Sequence, residues 1–205
     1  MPDGDGRTRT AWHAGLTDAD IIETALELLD EDPDALSLSA IARRLGVQAP
    51  SLYSHVSGLP ELKRLLRIRV SHDIGHALHV AGLNKRGEAG LLSVLGACRR
   101  YAQRHPNRWL VMTRVTIAAD DPDFAKAIGH NRAALTPVLR SFDIPDRELA
   151  YWESYVWAWA YGYIGFELAH HDHGFIDARF RRQVMDLADQ LERRGGGALP
   201  PGRRS

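Results

Sequence analysis

Residues 37–56 read SLSAIARRLGVQAPSLYSHV, and the reading of this stretch decides the fold. Ser37 or Ser39 can cap a short helix by accepting a hydrogen bond from one of the free amides of its first turn, and Ile41, Ala42 and Leu45 give that helix an apolar side. Gly46 ends it, because glycine adopts the left-handed conformation of a helix C′ residue without a Cβ clash. Pro50 suits the first turn of the next helix, where a missing N–H costs nothing, so a second short helix is predicted over about residues 50–55. Two short helices joined by a glycine-containing turn make a helix-turn-helix. Ile41, Ala42, Leu45, Val47, Leu52 and Val56 suffice for its small core. Subtracting them leaves Ser51, Ser54 and His55 facing outward, with Tyr53 lying along the surface. These are short polar groups of a kind that hydrogen-bond base edges or phosphates, at the start of a helix whose free amides also favour phosphate.

The flanks carry the same helical grammar. Thr17 is a good N-cap, Asp18 and Asp20 suit the positive end of a helix dipole, and Ile21, Ile22, Ala25, Leu26, Leu28 and Leu29 form an apolar stripe, predicting a helix to about residue 31. From Leu59 a longer amphipathic pattern, with Leu62, Leu65, Leu66, Ile68 and Val70 apolar, predicts a helix to about residue 80. The net charge is zero, but its distribution is uneven. Residues 17–36 hold eight acids and no Lys or Arg, whereas residues 37–69 hold Arg43, Arg44, Lys63, Arg64, Arg67 and Arg69 against the single acid Glu61. A phosphate backbone responds to such a local patch rather than to the whole-chain sum.

Beyond Gly82 the helical period continues without a convincing strand. Helices are predicted near 88–104, 107–117, 122–140, 146–171 and 176–193, punctuated at His105-Pro106, Asp121-Pro122, Ile144-Pro145 and His173-Gly174. The expected fold is all-α. It comprises a mobile arm over 1–15, a three-helix helix-turn-helix module over 16–62, a larger helical ligand-binding and dimerisation domain over 63–194, and a disordered tail over 195–205. With 205 residues, 44% hydrophobic and 25% charged, the composition is that of a soluble globular chain. There is no apolar run of membrane-spanning length and no signal-peptide core, so the cytoplasm is the expected location. The single cysteine, Cys98, rules out an internal disulfide framework and makes a poor metal site alone.

The segment LSLSAIARRLGVQAPSLYSHV resembles the DNA-binding segment of tetracycline-repressor-like (TetR family) transcriptional regulators. Those pair a Ser- or Thr-capped helix with a Gly-Val turn and a recognition helix ending in an aromatic-x-His-Val pattern. LTDADIIETALELLDED is similar to the family's first helix, and the likeness covers about residues 16–70. The resemblance implies that Ser39, Gln48, Ala49, Pro50, Ser51, Tyr53, Ser54 and His55 lie at the DNA, with Tyr53 and His55 mostly holding phosphates. Base-reading positions are small (Ala49, Ser51, Ser54), which points to methyl contacts, hydroxyls and waters. Leu59 departs from the family, many members of which carry a phosphate-holding Lys there; Lys63, one turn later, is the substitute. The resemblance further implies an all-α regulator, acting as a homodimer on a palindromic double-stranded DNA operator and responding to a small-molecule effector, with no cofactor and no enzymatic activity.

The C-terminal part holds RELAYWESYVWAWAYGYIGFELAHH. Trp152, Tyr155, Trp159, Tyr163 and Phe166 share one arc of this helix, Trp157, Tyr161, Ile164 and Leu168 a second, and Ala158, Gly162, Gly165 and Ala169 a third. A helix apolar on almost every side has to be buried on almost every side, and a partner subunit is the economical cover. The small stripe and the following helix, with Phe180 and Val184, form the expected dimer interface. WAYG followed by FEL also looks like the Trp-His-Gly signature of some family C-terminal domains, with Tyr161 in place of the His. Tyr101, Trp109, Met112 and Trp159 are candidates for lining an apolar ligand pocket, and equally for filling a core. His170, His171, Asp172 and His173 suggest metal ligands, but adjacent residues at a helix end point in different directions, so no metal is expected. Two other readings remain: a helical sensor or scaffold without DNA binding, and a metal sensor or enzyme built on that His-rich segment.

Overall fold

A computed structural model describes residues 15–118, 120–170 and 176–195. Residues 1–14 of the expected N-terminal arm, the tail beyond residue 195, and His171, Asp172 and His173 lie outside the described residues. Helix α1 (Asp18–Glu31) starts on a full capping box: Thr17 Oγ1 accepts from the Asp20 amide at 3.2 Å, and the Asp20 carboxylate accepts from the Thr17 amide at 2.9 Å. These bonds, the Thr17 hydroxyl first, hold the Asp20 carboxyl below its ordinary pKa. A 3-10 turn over Pro33–Ala35 leads to α2 (Leu38–Leu45). Ser37 rather than Ser39 caps α2, its Oγ accepting from the Ala40 amide at 3.2 Å. Gly46 closes α2 with φ 69°, the left-handed conformation that the turn demands.

The recognition helix α3 (Ala49–Leu52) is shorter than the predicted span. The chain leaves it through turns in which the amides of His55 and Val56 both donate to the Leu52 carbonyl, at 3.0 and 2.9 Å. That bend puts Leu52 and Val56 together in the core beside Ile41 and Ala42. Leu45 and Val47 pack against this core but remain half-exposed.

Helix α4 (Leu59–Gly82) is the spine of the molecule. Leu62, Leu66, Val70, Ile74 and Leu78, one every four residues, are buried along it. The expected domain boundary at 62/63 falls within this continuous helix, so the helix-turn-helix and the larger part share one rod. The remaining helices are α5 (Gly87–Arg104), α6 (Pro106–Arg114), α7 (Pro122–Arg140), α8 (Asp146–His170) and α9 (Ile176–Gly195). Among the described residues there is no strand, and no helix is long and apolar enough to cross a membrane. Helix α4 packs most extensively against α7. A Cβ on Gly75 would lie 2.5 Å from Asn131 Oδ1, so a side chain there would have to displace the Asn131 amide.

Two expectations for the C-terminal helices need correction. The face of α8 turned into the core is Leu149, Trp152, Val156, Ala160 and Ile164 with Glu148, Glu153 and Glu167, so that each arc gives one residue to the core, Trp152 and Ile164, and the rest of both arcs is half-buried or exposed. Phe180 and Val184, expected at a dimer interface, face inward. Together with Leu187, Ala188 and Leu191 they are buried within the chain, where α9 packs on α5. The reason lies beside them. Arg99 of α5 donates from Nε and Nη2 to both oxygens of Glu167, each at 2.7 Å, and from Nη1 to Asp177 at 2.5 Å, with its guanidinium 4.9 Å above the Phe180 ring. Gln103 adds a bond to Glu167 at 2.6 Å. This buried fork draws α8 and α9 onto α5 and turns the inner face of α9 inward. Burial works against the charge on Arg99, and the two carboxylates outweigh it, holding its pKa above the ordinary value.

Candidate nucleic-acid interface and interhelical cavity

The turn at Gly46 and the brevity of α3 present a compact polar surface. Ser39, Gln48, Pro50, Ser51, Tyr53, Ser54 and Lys63 are exposed, Tyr53 to 59%, whereas Ala49 and His55 are half-buried. Two members of this set are also engaged internally. The Ser54 hydroxyl donates to the Ser51 carbonyl at 2.8 Å, which leaves its oxygen free as an acceptor. His55 Nδ1 lies 2.6 Å from Asp18 Oδ1, tying the end of the recognition segment to the start of α1 and leaving Nε2 as its outward atom.

The basic patch expected over residues 37–69 is largely spent inside the chain. Arg44 is paired with Glu31 at 2.5 Å, and Arg69 with Glu23 at 2.5 Å and Asp73 at 2.9 Å. Arg64 binds Asp121 at 2.5 Å, Asp123 at 2.9 Å and Glu61 at 3.0 Å. The bonds to Asp121 and Asp123 raise the pKa of Arg64, and the bond from Arg64 lowers that of Asp121. Among the described residues only Arg43 and Lys63 of the six cations are exposed without an acidic partner. Counting charges along the sequence missed this, because the acids that answer these arginines lie on α1, α4 and the start of α7.

Ion pairs and hydrogen bonds also join the helix-turn-helix to the larger part. At the start of α6, Arg108 holds Asp30 of α1 at 2.6 Å, and Asn107 donates to the Leu29 carbonyl at 2.9 Å. At its other end, Arg67 of α4 donates from Nη1 to the Val115 carbonyl, while Arg64 holds Asp121 at the cap of α7. Helix α6 is thereby fastened to α1 at one end and to α4 at the other.

Between α4, α6, α7 and α8 lies a cavity of about 530 Å³, walled by Met112, Phe124, Ile128, Trp157 and Tyr161, with Arg67, Arg132 and Glu153 as its charged groups and Thr113, Asn131 and Ser154 as its neutral polar ones. Burial raises the pKa of the Tyr161 phenol and lowers that of Arg67. Of the four residues considered for a pocket, Met112 lines this cavity. Trp159 lines a separate hollow of about 430 Å³ between α8 and α9, alongside Ala158, Gly162 and Phe166. Tyr101 and Trp109 are core residues, the Trp109 ring 5.3 Å from that of Tyr161. The structure therefore does not bring these four side chains together. Phe124, Trp157, Tyr161 and Arg67 line the cavity beside Met112, and two of them belong to the second aromatic arc of α8.

The small residues Ala158, Gly162, Gly165 and Ala169 are all exposed, on the side of α8 opposite its buried strip. A third cleft, between α4 and α7, gathers His72, Asp73, His76, His79 and His130, with His72 Nδ1 and His130 Nδ1 3.2 Å apart. Burial, and then the neighbouring His130, lower the pKa of His72. No three His, Cys, Asp or Glu side chains among the described residues group closely enough to hold a metal ion. His170 instead stacks on Phe166 and lies 2.8 Å from the Phe166 carbonyl.

A capped helix, a left-handed glycine, a short exposed helix and a long helical spine define a helix-turn-helix regulator. Residues 21–57 match the family model for bacterial regulatory proteins of the tetR family, and residues 91–187 that for a tetracyclin repressor-like C-terminal domain. The HTH-type transcriptional regulator Rv0681 of Mycobacterium tuberculosis is 34% identical over 202 residues, covering 94% of this chain and 93% of the relative. The chain belongs to the tetR family of DNA-binding transcriptional regulators. Solved structures share the fold. ActR of Streptomyces coelicolor in complex with actinorhodin is 19% identical with a TM-score of 0.67, covering 91% of this chain and 100% of that one. BioQ with its natural double-stranded DNA operator is 18% identical with a TM-score of 0.64, covering 87% and 99%.

Proposed function

We propose that this regulator is a homodimeric repressor that holds a palindromic operator through residues 48–51 and 53–55 together with Ser39 and Lys63, and leaves it when a small molecule enters the cavity between α4, α6, α7 and α8. The observation that carries this reading is the exposed polar surface of α3 and its following turns, which the core of the module does not use. Tyr53 and Lys63 reach phosphates, while Ser51, Ser54 and Gln48 face base edges. His55, fixed by Asp18, contributes its Nε2 to the backbone of the operator. The same fold binds operator DNA in BioQ and actinorhodin in ActR.

Dimerisation uses the exposed face of α8, where Tyr151, Tyr155, Ala158, Gly162, Gly165, Phe166 and Ala169 line one side of the helix. The small residues allow close approach, and the aromatic residues supply the area to be buried. A two-fold axis there sets two recognition helices against half-sites roughly 34–36 Å apart. Release requires the effector to prefer a spacing that no longer fits, and a coupling of about 1–3 kcal/mol suffices. Helix α6, fastened to both α1 and α4, is the element that transmits the change. The regulator works in the cytoplasm, without catalysis, cofactor or metal.

A gel shift with the DNA flanking its own gene, repeated at rising salt, tests this. A retarded band that survives competitor DNA and weakens with salt is expected. Absence of any band at low salt, or equal binding to random DNA, sinks the repressor reading in favour of a helical sensor that does not read DNA. Sedimentation of the purified chain reports the dimer.

A further inference from the structure

We propose that the effector is an apolar acid, whose hydrocarbon or ring body lies against Phe124, Ile128, Trp157 and Tyr161 and whose carboxylate docks on Arg67. This rests on the ligand-responsive reading above and names the chemistry of its site. The cavity is mostly apolar, so its charged groups decide what enters. Glu153 is already satisfied: it accepts from the Thr136 hydroxyl at 2.5 Å and faces Arg132 at 3.6 Å. Arg67 is not. Its Nη1 donates to the Val115 carbonyl and its guanidinium lies 4.4 Å from the centre of the Phe124 ring, yet it has no carboxylate among the described residues, and its buried Nε has no acceptor. A half-buried cation without a counter-ion is poorly compensated, and a carboxylate matches the guanidinium fork in shape and charge.

The position of Arg67 also explains how occupancy would be felt. Among the described residues it is the one in the cavity wall that belongs to α4 and at the same time holds the end of α6. One turn earlier, Arg64 of the same helix grips the cap of α7. An anion on Arg67 competes with the Val115 carbonyl for the guanidinium and loosens α6 from α4, the helix that carries the helix-turn-helix.

The test uses the full-length protein and two skeletons of different shape, naphthalene and dodecane, each as carboxylic acid, primary amide and amine. Binding is read from tryptophan fluorescence, which Trp157 reports directly, and operator release from a gel shift. For at least one skeleton the acid should bind roughly tenfold or more tightly than its amide, the amine should bind least, and the acid alone should release DNA. Arg67→Gln should bring acid and amide to equal affinity, and Arg67→Lys should restore part of the difference, with circular dichroism checking the fold of both. An amide or amine that matches its acid in both skeletons overturns the proposal even if neither variant folds. So does failure of both acids to bind. Release of the operator by neutral compounds would leave a ligand-responsive repressor with a different effector class. Failure to bind the operator at all would instead remove the repressor reading itself.

Discussion

The helix-turn-helix and the corner where α5, α8 and α9 meet are held together in opposite ways. In the first, each decisive contact spans a few residues: Thr17 with Asp20, Ser37 with the Ala40 amide, and the Gly46 amide with the carbonyls of Ala42 and Arg43. In the second, Arg99 reaches Glu167 and Asp177 across 68 and 78 positions of the chain. Local contacts are stabilised by small, separable increments, whereas a buried ion pair leaves an uncompensated charge when either member is removed. The two regions should therefore fail differently.

The sharpest break is at Glu167. Glu167→Ala leaves Arg99 buried beside only the exposed Asp177 and should cost about 3–5 kcal/mol in urea melts of the dimer. A loss below about 1 kcal/mol would mean that the fork is as dispensable as a surface pair. Tyr53→Ala should lie at the other pole, with folding stability unchanged and operator affinity reduced by roughly tenfold or more, equally for specific and random DNA, as expected for a phosphate contact. Normal operator binding by that variant would remove α3 from the interface. Gly46→Ala meets no steric neighbour, so only its left-handed conformation is at stake, and it should lower stability by about 1–2 kcal/mol. A neutral outcome in thermal melts would show that the turn relaxes.

The smallest expected effect is a pH dependence. The folded-state pKa of His72 lies below its unfolded value of about 6.5, because burial disfavours the charged ring and His130, Lys126 and Arg69 oppose a proton more than Asp73 favours one. The unfolded chain therefore binds more protons in acid. Stability is fully present above about 6.5 and declines as pH falls from there through the depressed folded value. His72→Gln should flatten that decline in melts compared at mildly acid and mildly alkaline pH, and an unchanged slope would place the dependence elsewhere.

The same division governs what could be read from the residues. Thr17, Gly46, Pro50 and the stripe Leu62, Leu66, Val70 were legible because cap, turn and periodicity are written within one or two helical turns. The outward surface from Gln48 to His55 followed by subtraction, since the small core claims every apolar side chain nearby. The charge of residues 37–69 was misleading for the opposite reason. Arg44, Arg64 and Arg69 carry the expected sign, but their partners Glu31, Asp121, Asp123 and Glu23 lie on other helices or outside that window. In α8 the aromatic residues drew attention away from the strip that is buried, where Val156, Ala160 and Ile164 share a face with Glu153 and Glu167, two carboxylates that an apolar period does not select.

By itself the sequence determined an all-α chain, the order and near-boundaries of its helices, and a helix-turn-helix whose polar residues are left to face outward, because helix formation, capping and turning depend on neighbours in the chain. Only the tertiary structure decided that Phe180 and Val184 face inward, that Arg44, Arg64 and Arg69 are already paired, and that Arg67 stands in a cavity without a counter-ion among the described residues. Those outcomes depend on which distant side chain arrives opposite, and no spacing along the chain encodes that.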